Sequence, residues 1–216
     1  MIWILSIIIL AVSIWMHEYA HAYVSYRLGD PTPKLQNRLT PNPLRHIDPI
    51  WTVILPLILV LSWSPMVFGR AKPVQINPLY YKNPRRWELI VALAWPAMNI
   101  LLAIIWIFVL LIYIKIMGGT PNDVFLNKVD IMVTFWINFS FLNIILAVFN
   151  LIPIAPLDGY RLIKIRRYKW AEFMERNARF WFIFVIALVY FAGPILVQVA
   201  NFVFNLLFTV IGQFFY

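Results

Sequence analysis

Five long apolar runs dominate the 216-residue chain, and short polar segments separate them. The runs are Ile2 to Tyr26, Ile47 to Phe68, Trp87 to Met117, Ile131 to Ile154 and Phe180 to Phe215. Each run is long enough to cross a bilayer, because a helical span needs about 20 apolar residues. The pattern contains no internal repeat and no separate soluble unit. It predicts an all-α polytopic membrane protein of four to six membrane segments, in a single domain over residues 1–216.

Composition supports a membrane protein. The chain is 62% hydrophobic and 12% charged, which is more apolar surface than a soluble domain of this length needs. The first run lacks a basic n-region and a small-residue cleavage site, so we expect a retained first span and not a signal peptide. Because the chain has no cysteine, a bound metal would depend on histidine and carboxylate ligands.

The basic residues indicate how the segments are oriented. If all five runs crossed, the best alternating arrangement would place twelve Lys and Arg inside and six outside. If Ile47 to Phe68 enters and returns on one side, bending at Pro56 and at Ser62 to Pro65, the division becomes sixteen inside and two outside. The stronger asymmetry favours this re-entrant segment in a multi-pass protein of the cell membrane, with the amino terminus outside. Topology then explains the net charge of +9 without nucleic-acid binding.

A polar motif, HEYAH at residues 17–21, interrupts the first apolar run. An ionisable side chain in hydrocarbon costs about 3 kcal/mol on insertion scales, so such residues usually mark a functional site. His17 and His21 are one helical turn apart and can bind one zinc ion, while Glu18 can reach a metal-bound water as general base. The alternative is a buried histidine pair that is hydrogen-bonded to neighbouring helices.

Two histidines leave zinc without a third protein ligand, and two residues could supply it. Asp158 follows Pro153 and Pro156, which interrupt the end of the fourth run, so its side chain could point back into the bundle. Without a chain that folds back at these prolines, the length of that run would leave Asp158 at the membrane surface. Asp158 could also simply close a turn with its own backbone. His46 is the second candidate.

The paired motifs carry a family resemblance. HEYAH on the first span, together with NLIPIAPLDG at residues 150–159, resembles the site-2 protease family of intramembrane zinc metalloproteases. The similarity continues through RHIDPI, FGRAKPVQINP and NPRRWELIVALAWPAMN, which begin at residues 45, 68 and 83. It is closest to the short members of that family, which have no soluble regulatory domain.

This resemblance implies a function and a site. It implies one zinc ion held by His17, His21 and Asp158, with Glu18 as general base, in a catalytic core over about residues 1–162. The reaction it implies is the hydrolysis of peptide bonds in or near transmembrane segments of membrane protein substrates. The family usually has glycine where this chain has Trp51 and Trp95. An indole at these positions would hold neighbouring backbones apart or fill a cavity.

Three further features have two interpretations each. Asn99 and Asn150 are candidates for substrate binding, because their amides could hold an extended backbone or stabilise an oxyanion; alternatively, they link helices. Val74 to Asn77 could be an edge strand of a short β-hairpin at the cytoplasmic face that pairs with the substrate, or a connecting loop. The basic amphipathic stretch Arg161 to Arg179 is expected to face anionic lipid. Phe180 to Phe215, which contains Gly193-Pro194, could form one span or two.

Two other functions remain to be weighed against a protease. A membrane transporter or metal-binding protein would use the same His, Glu and Asp cluster for ion passage. The outer half of the first span, Ile2 to Ile14, offers only Ser6 and Ser13 as polar residues, which argues against a transport path. A structural zinc site would need a closed shell of four ligands, with His46 as the fourth. The sequence therefore favours the protease and leaves its oligomeric state open.

Overall fold

A computed structural model describes residues 2–40, 42–61, 72–120, 131–155 and 157–215, which form a helical bundle. Its α-helices are α1 (Ile2–Arg27), α2 (Thr32–Leu35), α3 (Leu55–Leu61), α4 (Pro84–Ile116), α5 (Ile131–Asn150), α6 (Tyr160–Arg166), α7 (Tyr168–Arg176) and α8 (Ala178–Gly212). Among the described residues, three helical segments are long and apolar enough to cross a membrane: Pro84–Ile116, Ile131–Asn150 and Ile183–Gly212. The expectation of a helical membrane protein is thereby confirmed.

The second apolar run begins with a π-helix, Pro49–Ile54, that continues directly into α3. Pro56, the second residue of α3, is buried at this junction. The described part of this run ends at Leu61 and is shorter than the about 20 residues that a span requires. The expected second bend, at Ser62 to Pro65, lies outside the described residues, so the re-entrant path stays a prediction.

The expected β-hairpin is not found, since the described ranges contain no β-strand. Val74 to Asn77 forms an irregular segment. Its N–H groups at Val74 and Asn77 donate to the carboxylates of Glu18 and Asp30, at 3.0 and 2.8 Å. Because these donors bind side chains of the α1 region and not a neighbouring strand, the interpretation as an edge strand is wrong for this part of the chain.

The last apolar run forms one helix. α8 continues through Gly193 and Pro194 without interruption. A proline removes only one hydrogen bond from a helix, and membrane helices tolerate that loss when neighbouring groups compensate. Of the two alternatives for Phe180 to Phe215, the single span therefore applies.

The main apolar core lies between α4, α5 and α8, and α1 packs against α4 and α5. The fully buried side chains at its centre are Ile107, Leu110, Leu111 and Ile144. On the other side of α5, Leu142 packs against Leu10 and Ile14 of α1. This packing brings the polar motif of α1 next to both α4 and the end of α5.

The chain folds back after α5 in a closed loop. The N–H of Gly159 donates to the carbonyl oxygen of Asn150 at 2.7 Å, so residue 159 returns to the end of the helix that the chain has just left. A side chain at Gly159 would meet the carbonyl oxygens of Leu151 and Ile152, the first at 2.5 Å. Only glycine allows this approach, and it brings Asp158 back beside the bundle.

We expect Gly159→Ala to destabilise the protein by about 1–3 kcal/mol, the usual cost of forcing a backbone shift in a packed site. Gly212→Ala is the matched control, because nothing lies within 4 Å of the position that its new Cβ would take. The thermal unfolding midpoint of each variant in detergent is the measurement. Equal midpoints for the two variants would contradict the close approach at Gly159.

Candidate metal centre

Four polar residues form a stripe along α1, at every fourth position. They are Ser13, His17, His21 and Ser25, and successive members are offset by only about 40° around the helix. All four are buried, the most exposed of them at 4%. Each contacts a side chain from a different part of the chain, so this stripe is the axis around which the site is assembled.

His17 contacts Asn99 of α4. The amide nitrogen of Asn99 lies 3.2 Å from Nδ1 of His17, and both residues are buried. The Oδ1 atom of Asn99 has no hydrogen-bond partner. This contact connects α4 directly to the first histidine of the motif.

His21 contacts Asp158, which the loop after α5 has returned to the bundle. Nε2 of His21 lies 3.4 Å from Oδ1 of Asp158. Both ring nitrogens of His21 and Oδ2 of Asp158 lack hydrogen-bond partners. Burial raises the pKa of Asp158 to about 7, and the nearby charge of Arg161 opposes that rise. The structure thus places a sequence-predicted carboxylate beside the second histidine.

Glu18 is buried between α1 and the segment that follows residue 71. Its Oε2 accepts a hydrogen bond of 3.0 Å from the N–H of Val74. Arg38 lies near it and is only 5% exposed. Burial lowers the pKa of the Arg38 guanidinium, and the charge of Glu18 acts in the opposite direction. The Glu18 carboxylate therefore accepts a hydrogen bond from the main chain and lies near a buried positive charge.

Sequence reasoning missed Arg38 and the contact of Val74 with Glu18. A main-chain donor such as that of Val74 has no residue-type signature. Arg38 stands among several basic residues in a polar segment, where nothing distinguishes it from a solvated surface charge. The structure buries Arg38 and places its Nη1 atom on the carbonyl oxygen of Arg45.

His46 and Asn150 are placed differently from the other candidates. His46 is fully buried, and its Nε2 lies 3.4 Å from the carbonyl oxygen of Thr40. Burial lowers the pKa of His46, so its ring is disposed to be neutral. The amide nitrogen of Asn150 donates to the carbonyl oxygen of Leu146 on its own helix, at 2.9 Å. In the described contacts, neither side chain touches His17, His21 or Asp158.

An aromatic ring separates the two histidines of the motif. Their ring centres are 6.1 Å apart, and the indole of Trp95 lies between them. Its centre is 4.0 Å from that of His21, and the indole also contacts the ring of His17. Within the described residues, no three His, Asp or Glu side chains stand together as a complete metal cluster. The side chain of Trp51, the other tryptophan of interest, lies outside the described part.

One pair of donor atoms has the spacing of two zinc ligands. Two ligands of one tetrahedral zinc ion, each about 2.0–2.1 Å from the metal, are about 3.3 Å apart. The separation of His21 Nε2 and Asp158 Oδ1, 3.4 Å, agrees with that value. Buried imidazole nitrogens and a carboxylate oxygen without partners are costly in an apolar bundle, and a cation would satisfy them.

Taken together, the described residues define a helical membrane protein with buried imidazole and carboxylate side chains on α1 and in the loop after α5, the residue types that metallopeptidases use to bind zinc. The chain belongs to peptidase family M50, whose family model matches residues 5–192. The resemblance to the site-2 proteases is thereby confirmed. The chain is a metallopeptidase by family, with zinc as its cofactor.

Similar proteins carry corresponding names. The chain is 43% identical, over 158 residues, to "Putative zinc metalloprotease YwhC" of Bacillus subtilis (strain 168), a match that covers 73% of this chain and 67% of that protein. It is 30% identical, over 148 residues, to "Putative zinc metalloprotease Rip2" of Mycolicibacterium smegmatis, and covers 51% of it. The Mycobacterium tuberculosis protein of the same name is 28% identical over 153 residues, 53% of its length. The chain thus spans about half the length of these mycobacterial relatives. No solved structure matches the chain.

Proposed function

We propose that this protein is an intramembrane protease that cleaves peptide bonds in or near transmembrane segments of membrane protein substrates. His17, His21 and Asp158 hold one zinc ion, and Glu18 is the general base. The observation that carries the proposal is the buried His21–Asp158 pair, whose separation of 3.4 Å suits two ligands of one metal. Family membership supports it independently.

The residues divide the reaction among them. When bound, zinc supplies Lewis-acid chemistry that makes water nucleophilic near neutral pH. Glu18 accepts a proton from the attacking water and delivers it to the departing amine, so that water is divided between the two new chain ends. The hydrogen bond from Val74 holds the Glu18 carboxylate while it does so. The buried site keeps bulk water away from the proton in transit.

Asn99 has two roles in this proposal. A neutral imidazole that binds zinc through Nε2 must carry its proton on Nδ1, so the group that faces Nδ1 should be an acceptor. The oxygen and nitrogen of an amide have the same shape, and exchanging them gives Asn99 Oδ1 the partner that it lacks. Asn99 then orients His17 and presents its NH₂ group to the substrate backbone.

Asn150 contributes to substrate binding in a more limited way. Its NH₂ group is bonded to Leu146, so only its side-chain oxygen is proposed to receive a substrate N–H. Its main-chain carbonyl has a second task, because it accepts the Gly159 N–H that returns Asp158 to the site. In this proposal Asn150 therefore both contacts substrate and holds the loop that carries Asp158.

The proposed membrane arrangement has four spans, α1, α4, α5 and α8, and one re-entrant segment. The N–H of Lys72 donates to the carbonyl oxygen of His46 at 3.0 Å, which joins the two ends of the second apolar run. A run whose ends meet is expected to enter and leave on the same side. With the basic loops in the cytoplasm, His21 and His17 lie roughly 9 and 15 Å below the end of α1 at Arg27.

The substrate class follows from the physics of the bilayer. A transmembrane helix satisfies its own backbone hydrogen bonds, so the scissile carbonyl is hidden until the helix unwinds. Substrates with Gly, Pro or Asn near the level of the zinc should therefore be favoured, because these residues weaken the local helix. The cytoplasmic side of the site, where the chain after α5 folds back, is the proposed route for water.

Asp158→Ala is expected to lower zinc content and to abolish cleavage together, because it removes one of three metal ligands. The measurement is zinc per protein in the purified variant, alongside cleavage of a transmembrane test substrate. His46→Ala is the matched control, since His46 is also buried but contacts Thr40. Full zinc retention in Asp158→Ala with zinc loss in His46→Ala would assign the third ligand to His46.

Glu18→Gln is expected to leave zinc content near that of the wild type, because the three ligands are intact. Cleavage should fall by at least about 100-fold, the low end for loss of a general base. Substrate should still bind and can be detected by crosslinking to the variant. A carrier would behave differently: if the fully zinc-loaded wild type cleaves none of a panel of helix-destabilised substrates, and Glu18→Gln alters metal flux, the protease proposal fails.

The membrane arrangement is tested with single cysteines in this cysteine-free chain. In intact cells, an impermeant thiol reagent should label Thr120→Cys, beyond the end of α4, and should leave Lys82→Cys unlabelled. Permeabilised cells should show labelling of both variants. Labelling of Lys82→Cys from outside would show that the second apolar run crosses the membrane.

A further inference from the structure

A fully buried carboxylate lies outside the proposed reaction centre. Asp30 is 0% exposed, and three donors converge on it. Its Oδ2 accepts from the Ser25 hydroxyl at 2.9 Å and from the N–H of Asn77 at 2.8 Å. Its Oδ1 accepts from the N–H of Thr32 at 2.9 Å. No step of the proposed hydrolysis uses Asp30, yet the structure surrounds it with donors.

The end of α1 determines where Asp30 lies. Gly29 has a φ of +105°, a backbone conformation that glycine adopts without strain. The N–H of Gly29 donates to Tyr26 at 3.0 Å, and that of Asp30 donates to Ser25 at 3.2 Å. These two bonds form a Schellman motif, which reverses the chain at a helix end. Asp30 is thereby turned back beside Ser25, the last member of the polar stripe.

Tyr81 completes the arrangement. Its hydroxyl oxygen lies 2.7 Å from Oγ of Ser25, whose single hydrogen is already donated to Asp30. Tyr81 must therefore be the donor in this pair. Burial raises the pKa of Tyr81 to about 12, which keeps that proton in place. We call the four residues Asp30, Ser25, Asn77 and Tyr81 the Asp30 clamp.

The segment that the clamp holds also carries the donor to Glu18. Val74 is three residues before Asn77, and its N–H lies 3.0 Å from Oε2 of Glu18. Between these two points, the N–H of Gln75 donates to Gln36 at 3.3 Å in an exposed position. The same short segment is thus attached to α1 at Glu18 and, through Asp30, at the cytoplasmic end of that helix.

We propose that Asp30 is a positioning residue for the general base. By holding the N–H of Asn77, it sets the position of the segment along α1 and so places the N–H of Val74 on Glu18. A main-chain donor on a carboxylate makes a charge-assisted hydrogen bond and fixes the orientation of that group. The inference rests on the proposed function, in which Glu18 is the base.

Loss of the Asp30 clamp should affect only the proposed general base, Glu18. Asp30 touches none of the proposed zinc ligands in the described contacts, so losing the clamp should leave metal binding intact. A base displaced by about 1 Å can cost 100-fold in rate, because proton transfer depends steeply on geometry. The turnover number should therefore fall while zinc content and KM change little.

Val74→Pro tests the contact directly, because proline has no N–H to donate. Gln36→Ala is the matched control, since it removes the side chain that accepts from the N–H of Gln75 in an exposed position and leaves the backbone beside Val74 unchanged. We expect Val74→Pro to lower kcat by about 10- to 100-fold, with zinc content and KM within about twofold of wild type. Gln36→Ala should stay close to wild type in all three. Equal kcat values for the two variants would overturn the proposal.

Amide hydrogen exchange tests the role of Asp30 without relying on activity. In Asp30→Ala, the amides of Val74 and Asn77 should exchange faster than in wild type, while those within α4 and α5 stay protected. Unchanged exchange at Val74 would overturn the proposal. Glu18→Gln separates the two hypotheses: if that variant is active, the proposed function fails; if it is inactive while Val74→Pro is normal, only the clamp inference fails.

Discussion

The structure depends on one requirement: the polar side chains of the stripe on α1 need hydrogen-bonding or ionic partners inside an apolar bundle. An unpartnered polar group in such surroundings costs several kcal/mol, so Ser13, His17, His21 and Ser25 each require a partner from elsewhere in the chain. The partners come from α5, α4, the loop after α5 and the segment before α4. The contacts that pack the bundle are therefore the same contacts that assemble the site.

The two ends of the stripe differ from its middle. Ser13 accepts from Asn143 at 2.9 Å, and Ser25 lies in a closed chain of hydrogen bonds to Asp30. In the middle, His21 has Asp158 as its partner at 3.4 Å but makes no hydrogen bond through either ring nitrogen. The polar groups at the ends hold helices and segments in place, whereas those in the middle retain donor atoms that a metal can use. One face of α1 thus carries side chains that hold the fold together at its two ends and candidate metal donors in its middle.

The sequence predicted the helical membrane architecture and the family correctly, because apolar run lengths and two specific motifs carry that information. It could not show how Asp158 reaches the site. That depends on one N–H at Gly159, one carbonyl at Asn150 and the absence of a Cβ, none of which has a periodic pattern.

The β-hairpin expected around Val74 was wrong in the described chain for a related reason. Main-chain donors have no residue signature, so their binding to Glu18 and Asp30 cannot be foreseen from residue types.

Trp95 occupies the space between the two histidines of the motif. Its indole lies between His17 and His21 and contacts both rings. In the proposed function, an ion held by both rings would occupy that same space, so the proposal implies a different orientation of the indole. Trp95 and Asn99 are one turn apart on α4, and Asn99 contacts His17 from the same helix. Because Asn99 contacts His17 without the help of Trp95, the implied turn of the indole leaves that contact in place.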